Sequence, residues 1–253
     1  MPDVTVILTV WKRDHLEEQL EALLRQTHPV AEIWIYHCCQ HVFVNYKAII
    51  KNNRVKYQQN THDLGYFGRF SMALLAATEY VFIMDDDIVP SADWIEVSLM
   101  TSKKYNAIVS STGRIIPKYN YRPEAVTDDQ YSRKYFIGGS MNAGNSVYCE
   151  KDTPVDFGCT NWFLKRNWLH FFWSLKPFTM ETGEDIHLSV SCLLQGGIKT
   201  VCPHQDGINT SGNRKGNYGF DHLASWKKHD FLDKREQILK HFIDDCKWVP
   251  IGW

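Results

Sequence analysis

Glu79-Tyr80-Val81-Phe82-Ile83-Met84-Asp85-Asp86-Asp87-Ile88-Val89-Pro90 is an apolar run that stops on three consecutive carboxylates. A short apolar run reads as a buried strand of a parallel sheet, and the carboxyl end of such strands is where open α/β sheets place their ligand sites. Three acidic side chains there repel one another unless a cation or a set of donors compensates them. Hard divalent ions, ligated by oxygen and shared with a phosphate, are the usual compensation. A solvated acidic turn after an edge strand is the plainer alternative. Asp85 and Asp87 occupy alternate positions, so both can face one ligand while Asp86 points elsewhere. Asp87, at the strand exit, is best placed to hold an ion bridging two phosphates. Asp85 or Asp86 is then left to accept from ribose hydroxyls or the base.

Outward from this run the chain alternates strand and helix. Residues 4–10 are a β-branched run and a first strand. Asp14 is placed to cap a helix, with Glu17 as the reciprocal member of a capping box. Leu16, Leu20, Leu23 and Leu24 recur at helical spacing until Thr27-His28-Pro29. Residues 32–36 and 55–58 read as further strands, 69–77 as a helix presenting Phe70, Ala73, Leu74 and Ala77. Residues 92–105 then read as a helix and 107–112 as a strand. The alternation predicts a mostly parallel sheet with helices on both faces, of a nucleotide-binding kind. After Gly113 the periodicity weakens, and 118–133 reads as a Tyr-rich loop. Order resumes at 155–158 and 162–164. Residues 185–195 form a helix with Ile186, Val190, Leu193 and Leu194 inward, ended by Gly196-Gly197. A short strand covers 199–202, and a last helix 230–246. The Gly- and Asn-rich stretch 205–220 is expected to be a mobile lid that orders over a ligand.

Composition narrows the function. The chain has 253 residues, 44% hydrophobic and 23% charged, with a net charge of −1. That profile is globular and gives no electrostatic reason to expect nucleic acid as a partner. Seven cysteines, none in a C-x-x-C arrangement, favour reduced thiols in a cytosol-like compartment. No stretch approaches the ~20 apolar residues of a membrane span, so a membrane-bound acceptor would be reached from the surface, or by this chain as a piece of a longer polypeptide. A single domain over 1–253 is expected, with a nucleotide-binding half (1–112) and an acceptor-binding half carrying the C-terminal helix (113–253).

Several further groups carry chemistry. Gly183-Glu184-Asp185 opens a helix: two acids there serve as caps and dipole partners, or one acts as a general base. His204 follows a strand and is either a surface residue or a metal ligand completing a site begun by Asp87. Gly65-Tyr66-Phe67-Gly68-Arg69 offers close backbone approach and an arginine for phosphate. Arg214 and Lys215 are the cations of the 205–220 stretch, with a diphosphate as their natural partner. His37, Cys38, Cys39 and His41 resemble zinc ligands, but their spacing is too compressed for a standard structural site, and zinc is not expected there. Trp162, Trp168 and Trp173 read as core residues, or one of them as a stacking face for a sugar.

Together these pieces are similar to the GT-A class of nucleotide-sugar glycosyltransferases, and most to the broad family 2 enzymes. The resemblance covers Val4 to about Lys215. It is carried by residues 4–13 with the helix ending at Gln26-Thr27-His28-Pro29, by Asp85 to Asp87, by Gly158-Cys159-Thr160-Asn161-Trp162, by Glu184-Asp185 and by His204. It implies a Rossmann-like, mostly parallel sheet. It also implies nucleotide contacts from Thr9, Val10 and Arg13, with Arg69, Asp85, Asp86, Arg214 and Lys215 around the donor, and Mn2+ or Mg2+ on Asp87, Asp85 and His204. Asp185 would be the base, with Glu184 beside it and Trp162 and Asn161 toward the acceptor. The donor implied is a nucleotide sugar, UDP-linked by family frequency, and the acceptor a hydroxyl of a glycan, glycoprotein or glycolipid. With Asp185 as base the reaction expected is inverting. Residues 65–69 and the triple Asp are also similar to the exostosin-type transferases, which retain configuration. One departure is the second strand, where His37-Cys38-Cys39 stands in place of the family's base-reading acid. Two other functions compete. Asp85-Asp86-Asp87-Ile88-Val89 fits the motif of a haloacid-dehalogenase-type phosphohydrolase with Asp85 as nucleophile, and a non-catalytic nucleotide-sugar binding module would keep the diphosphate site alone.

Overall fold

The computed structural model describes residues 3–39, 41–122, 134–140 (without the Ser140 side chain) and 146–253. β1 (Val4–Val10), α1 (Leu16–Leu24), β2 (Glu32–Cys38), α2 (Tyr46–Ile49), β3 (Val55–Asn60), α3 (Gly68–Ala73), β4 (Tyr80–Met84) and α4 (Trp94–Tyr105) follow in order. Then come β5 (Ile108–Val109), β6 (Thr112–Arg114), β7 (Phe136–Ile137), β8 (Gly139–Ser140), β9 (Val147–Tyr148), β10 (Thr153–Val155), β11 (Phe157–Cys159) and β12 (Asn161–Lys165). α5 (Leu169–Ser174), α6 (Glu184–Gly196), β13 (Thr200–Cys202) and α7 (Phe231–Lys240) complete the chain, with one π-helical turn, His241–Asp245, extending α7.

Eight strands form the central sheet in the order β10-β13-β5-β12-β4-β1-β2-β3. β1, β2, β3 and β4 are parallel, as are β5 and β13, while β12 and β10 run against their neighbours. The mixed α/β, mostly parallel sheet is thus the one the sequence predicts. The chain beyond residue 113 is part of it, since β12 inserts between β4 and β5.

β4 shows why its sequence is apolar throughout. Tyr80, Phe82 and Met84 pack with Leu16, Leu20 and Leu23 of α1 and Trp94, Ile95 and Leu99 of α4. Val81 and Ile83 face the other way, onto Phe70 of α3, Phe172 of α5 and Leu188 of α6. A strand covered by helices on both faces buries every side chain, each apolar one contributing about 1.5–3 kcal/mol. A third cluster joins α6 to α7 through Ile186, Val190, Ile238, Leu239 and Phe242.

Boundaries differ from expectation where local chemistry intervenes. Asp14 does not cap α1: the helix starts at Leu16 after His15, with no side-chain cap, so Glu17 stands one position too early to reciprocate. The His15 ring instead stacks on Tyr218, 3.9 Å between centroids. α3 ends at Ala73, leaving Leu74 exposed and Ala76 buried. The 107–112 strand is split because Ser111 leaves the ladder to receive and donate bonds with Asn161. Leu194 is exposed on α6. Most of the 118–133 loop, residues 123–133, lies outside the described residues. The 205–220 stretch is not free at its start: Gln205, Ser211 and Asn213 are buried. Gly212 N–H donates to Gln205 Oε1 at 2.8 Å, Ser91 N–H to the Ser211 carbonyl at 2.8 Å, and Arg214 N–H to the Val89 carbonyl at 2.7 Å. Buried amides secure in three dimensions what glycine content alone cannot show.

Candidate active site

β1 and β4 are adjacent, parallel and in register, Leu8 opposite Met84. The segments that follow them therefore emerge at one edge of the sheet. Asp85 N–H donates to the Thr160 carbonyl at 3.0 Å and Lys12 N–H to Asp86 Oδ2 at 3.4 Å, fixing the acidic run against the end of β1 and the β11–β12 turn. This edge opens into a cavity of about 940 Å³. Thr9, Arg13, Arg69, Asp85, Asp86, Asp87, Trp162, Glu184 and Asp185 all line it.

Arginines from distant segments meet these carboxylates. Buried Arg13 places Nη1 2.6 Å from Asp86 Oδ1 and 3.3 Å from Asp87 Oδ2, and its Nε and Nη2 donate to both oxygens of Asp221 at 2.6 and 2.9 Å. Arg69, in the first turn of α3, donates to Asp85 and, at 2.9 Å, to Glu184 Oε1. Its guanidinium lies 4.9 Å from the Trp162 ring centre. Arg235 of α7 engages Asp185 through both nitrogens, at 2.8 and 2.9 Å. Bidentate pairs of this kind orient as well as attract.

Glu184 and Asp185 are presented by Gly183, whose φ of +80° is left-handed and whose Cβ would meet Ile238 Cδ1 at 2.4 Å. Only glycine enters α6 there without strain. Burial, and then the neighbouring Asp185 charge, raises Glu184 to about 7 despite Arg69. Asp87 is likewise pushed up to about 7, by burial first and then by Asp85 and Asp86. Among the described residues its buried Oδ1 has no hydrogen-bond partner. An all-carboxylate set with one orphaned oxygen and too little local positive charge fits a hard divalent cation.

The other expected residues fall in different places. Thr9 lines the cavity, with a buried hydroxyl that has no hydrogen-bond partner among the described residues, whereas Val10, one position on, points into the core. Trp162 reaches the cavity, but its indole N–H donates to the Gly158 carbonyl at 2.8 Å and Arg69 lies against its ring. Asn161 is fully buried and holds Ser111 and Gly212 instead of lining the cavity. His204 is exposed, its Nδ1 2.8 Å from the Glu150 carbonyl, and it does not line the cavity. It follows β13, three strand spacings from β4, about 14 Å across the sheet. That separation removes it from the Asp87 ligand set. Arg214 donates to the Ile208 carbonyl at 2.6 Å and Lys215 pairs with Glu18 at 3.1 Å, so neither is brought into the cavity. Asp85 accepts from Arg69, which disfavours its use as a phosphohydrolase nucleophile. Asp221 and Arg235 were not legible in the sequence, because each is one charged residue in an ordinary polar setting until the fold seats it.

A sequence profile for glycosyl transferase family 2 matches residues 5–168. No curated protein sequence matches the chain. Among solved structures, S. aureus TarS (residues 1–349) superposes with a TM-score of 0.50 at 13% identity, over 79% of this chain and 58% of that one. The mannosyltransferase PcManGT from Pyrobaculum calidifontis, in complex with GDP-Man and Mn2+, gives 0.49 at 19% identity, over 80% and 55%. The chain thus spans a little over half the length of either structure.

Proposed function

The chain belongs to glycosyl transferase family 2, and from that premise we propose that it moves a sugar from a nucleoside-diphosphate donor, UDP-linked in the first instance, to a hydroxyl of a glycan, glycoprotein or glycolipid. The observation that carries the reading is the orphaned, buried Asp87 Oδ1 in the cavity that Glu184 and Asp185 also line.

Asp87, with Asp85, would hold Mn2+ or Mg2+, which when bound supplies positive charge for the departing diphosphate. Arg13 fixes Asp86 and Asp87 so that their positions are set before the donor arrives. Thr9 offers the nucleotide a hydroxyl that has no other partner among the described residues. Asp185 is the base of an inverting reaction: it takes the acceptor proton as the hydroxyl oxygen attacks the anomeric carbon and the bond to the diphosphate breaks. Its Oδ2 accepts from Arg235, and a carboxylate oxygen has room for a second donor. Glu184 is tied through Oε1 to Arg69, and so to Asp85, which suits it to organising the donor side. In this scheme residues 1–112 hold most of the donor, Glu184 reaches it from the second half, and residues 113–253 otherwise hold the acceptor.

The test is a panel of nucleotide sugars incubated with the protein and Mn2+ or Mg2+, with nucleoside diphosphate and inorganic phosphate both quantified. Nucleoside diphosphate release, lost in EDTA and in Asp87→Asn, is expected. Inorganic phosphate release would establish the phosphohydrolase reading, and donor binding without turnover by any acceptor the binding-module reading.

A further inference from the structure

We propose that Cys38, Cys39 and Asp63 form a second cation site, for a borderline or soft d10 ion such as Zn2+, on the wall of the same cavity and separate from the Asp87 site.

Consecutive residues of a strand point to opposite faces, so two adjacent cysteines at a strand end ordinarily cannot act together. Here they do. Cys38 is the last residue of β2, and Cys39 takes the left-handed conformation, φ +59°. That conformation is uncommon for a residue with a side chain and worth a look where it occurs. The two sulfurs lie 3.7 Å apart. Asp63, in the turn between β3 and α3, brings Oδ1 to 3.3 Å from Cys38 Sγ, and Gly65 N–H donates to the same oxygen at 2.8 Å. One ligand atom from each of the three residues falls within 4.8 Å of the others.

The two shorter separations, 3.7 Å between the sulfurs and 3.3 Å from Cys38 Sγ to Asp63 Oδ1, lie close to the edges of a coordination tetrahedron. With zinc–sulfur bonds of about 2.3 Å and a zinc–oxygen bond of about 2.1 Å, tetrahedral angles give a sulfur–sulfur edge of about 3.8 Å and a sulfur–oxygen edge of about 3.6 Å. Three protein ligands leave one position, and Cys38 and Asp63 both line the cavity, so a water or a ligand group has access to it. A second polar group waits beside them. Tyr36, on the same face of β2, lines the cavity with a buried hydroxyl that has no hydrogen-bond partner among the described residues.

Softness separates the two sites. Thiolates select zinc-like ions and the all-oxygen Asp87 set selects Mn2+ or Mg2+. β1 stands between β4 and β2, which sets the sites about 10 Å apart. The histidines that made this segment look like a zinc motif do not take part. His37 turns to Tyr57, Nδ1 2.7 Å from the hydroxyl, and His41 meets the Trp11 ring edge-on. The missing ligand comes from Asp63, 24 residues beyond Cys39 and invisible to any local spacing rule.

The test uses the full chain kept reduced with a phosphine, titrated with Cd2+ as a zinc surrogate that reports thiolate ligation by its ultraviolet charge-transfer band, and with Zn2+ against a chromophoric chelator. One ion per chain is expected, with the band lost in Cys38→Ser and reduced in Cys39→Ser. Zn2+ affinity should fall more than about tenfold in Asp63→Asn. Asp87→Asn should leave band and affinity unchanged, and Mn2+ should not compete. Cys246, whose sulfur lies 3.6 Å from His241 Nε2, is the competing thiol: a band that survives in Cys39→Ser and is instead lost in Cys246→Ser, or no stoichiometric binding, overturns the proposal. Cys39 is only half-buried and Asp63 exposed, so both variants remain informative if Cys38→Ser fails to fold.

Discussion

Asp87 and the pair Glu184-Asp185 set the chemistry at the residue scale. With its carboxyl raised to about 7, Asp87 is largely protonated at pH 6, and a divalent cation must displace that proton. Mn2+ affinity should therefore fall about tenfold per pH unit below 7 and level off above it. Calorimetric titration across pH 5.5–8 checks this, and a flat profile would contradict it. For the base, Asp185→Asn should lower kcat by about three orders of magnitude or more with donor affinity little changed. Glu184→Gln should act chiefly through donor binding, because it releases Arg69 from one of its two carboxylates. Reversal of the two effects in steady-state kinetics would move the base to Glu184. Arg235 is a positioning residue: Arg235→Ala should lower kcat with donor KM little changed and Arg235→Lys should restore part of it, a rescue and a kcat-against-KM split that mere loss of packing would not give.

At the scale of elements, the entrance to α6 matters most. Gly183→Ala forces a Cβ into a left-handed residue and against Ile238, at about 1–3 kcal/mol. The denaturant midpoint should drop accordingly, and kcat with it, since Glu184 and Asp185 ride on that turn. The lid expected over 205–220 divides at Arg214. Residues 205–213 are pinned by Ser91, Ser111 and Val89 and should resist limited proteolysis with or without ligand. Gly216, Gly219 and Phe220 line the cavity, and Arg13 holds Asp221 just beyond them. Cleavage in 215–228 should slow when nucleotide and Mn2+ are added together. Unchanged cleavage there would leave this segment a plain surface loop.

For the whole molecule, the buried acids tie stability to pH. Asp87 and Glu184 are raised to about 7 and Asp156, buried under two backbone N–H donors, to about 6. A carboxyl whose folded pKa is raised binds its proton more tightly folded than unfolded. Its contribution is complete below the unfolded value near 4 and is lost as pH rises to 6–7. In EDTA the melting temperature should therefore be higher at pH 5.5 than at 7.5, and Asp87→Asn should flatten that slope. Mn2+ at pH 7.5 should restore stability, because it binds the ionised folded form.

How much of this was legible in the chain follows from the range of the forces involved. The apolar run before Asp85, the helical spacing of Leu16, Leu20 and Leu23, and the glycines that end α6 act over a few residues, so they disclosed the strands, most helices and the α/β class. The acidic run at a strand end also announced itself, because like charges in sequence are like charges in space. Partners that arrive from far along the chain leave no local trace. Asp221 reaches Arg13 across 208 residues, Arg235 reaches Asp185 across 50, and Asp63 reaches Cys38 across 25. The same limit misplaced His204, Arg214 and Lys215, whose types suit a phosphate or metal site but whose strand position, hydrogen bond to a backbone carbonyl and ion pair, respectively, hold them outside the cavity. Sequence by itself determined which segments are buried and where charge accumulates, since those depend on neighbours. Only the order of strands in the sheet decided which charges meet, because that order is fixed by packing two helical layers against a shared core, not by any spacing along the chain.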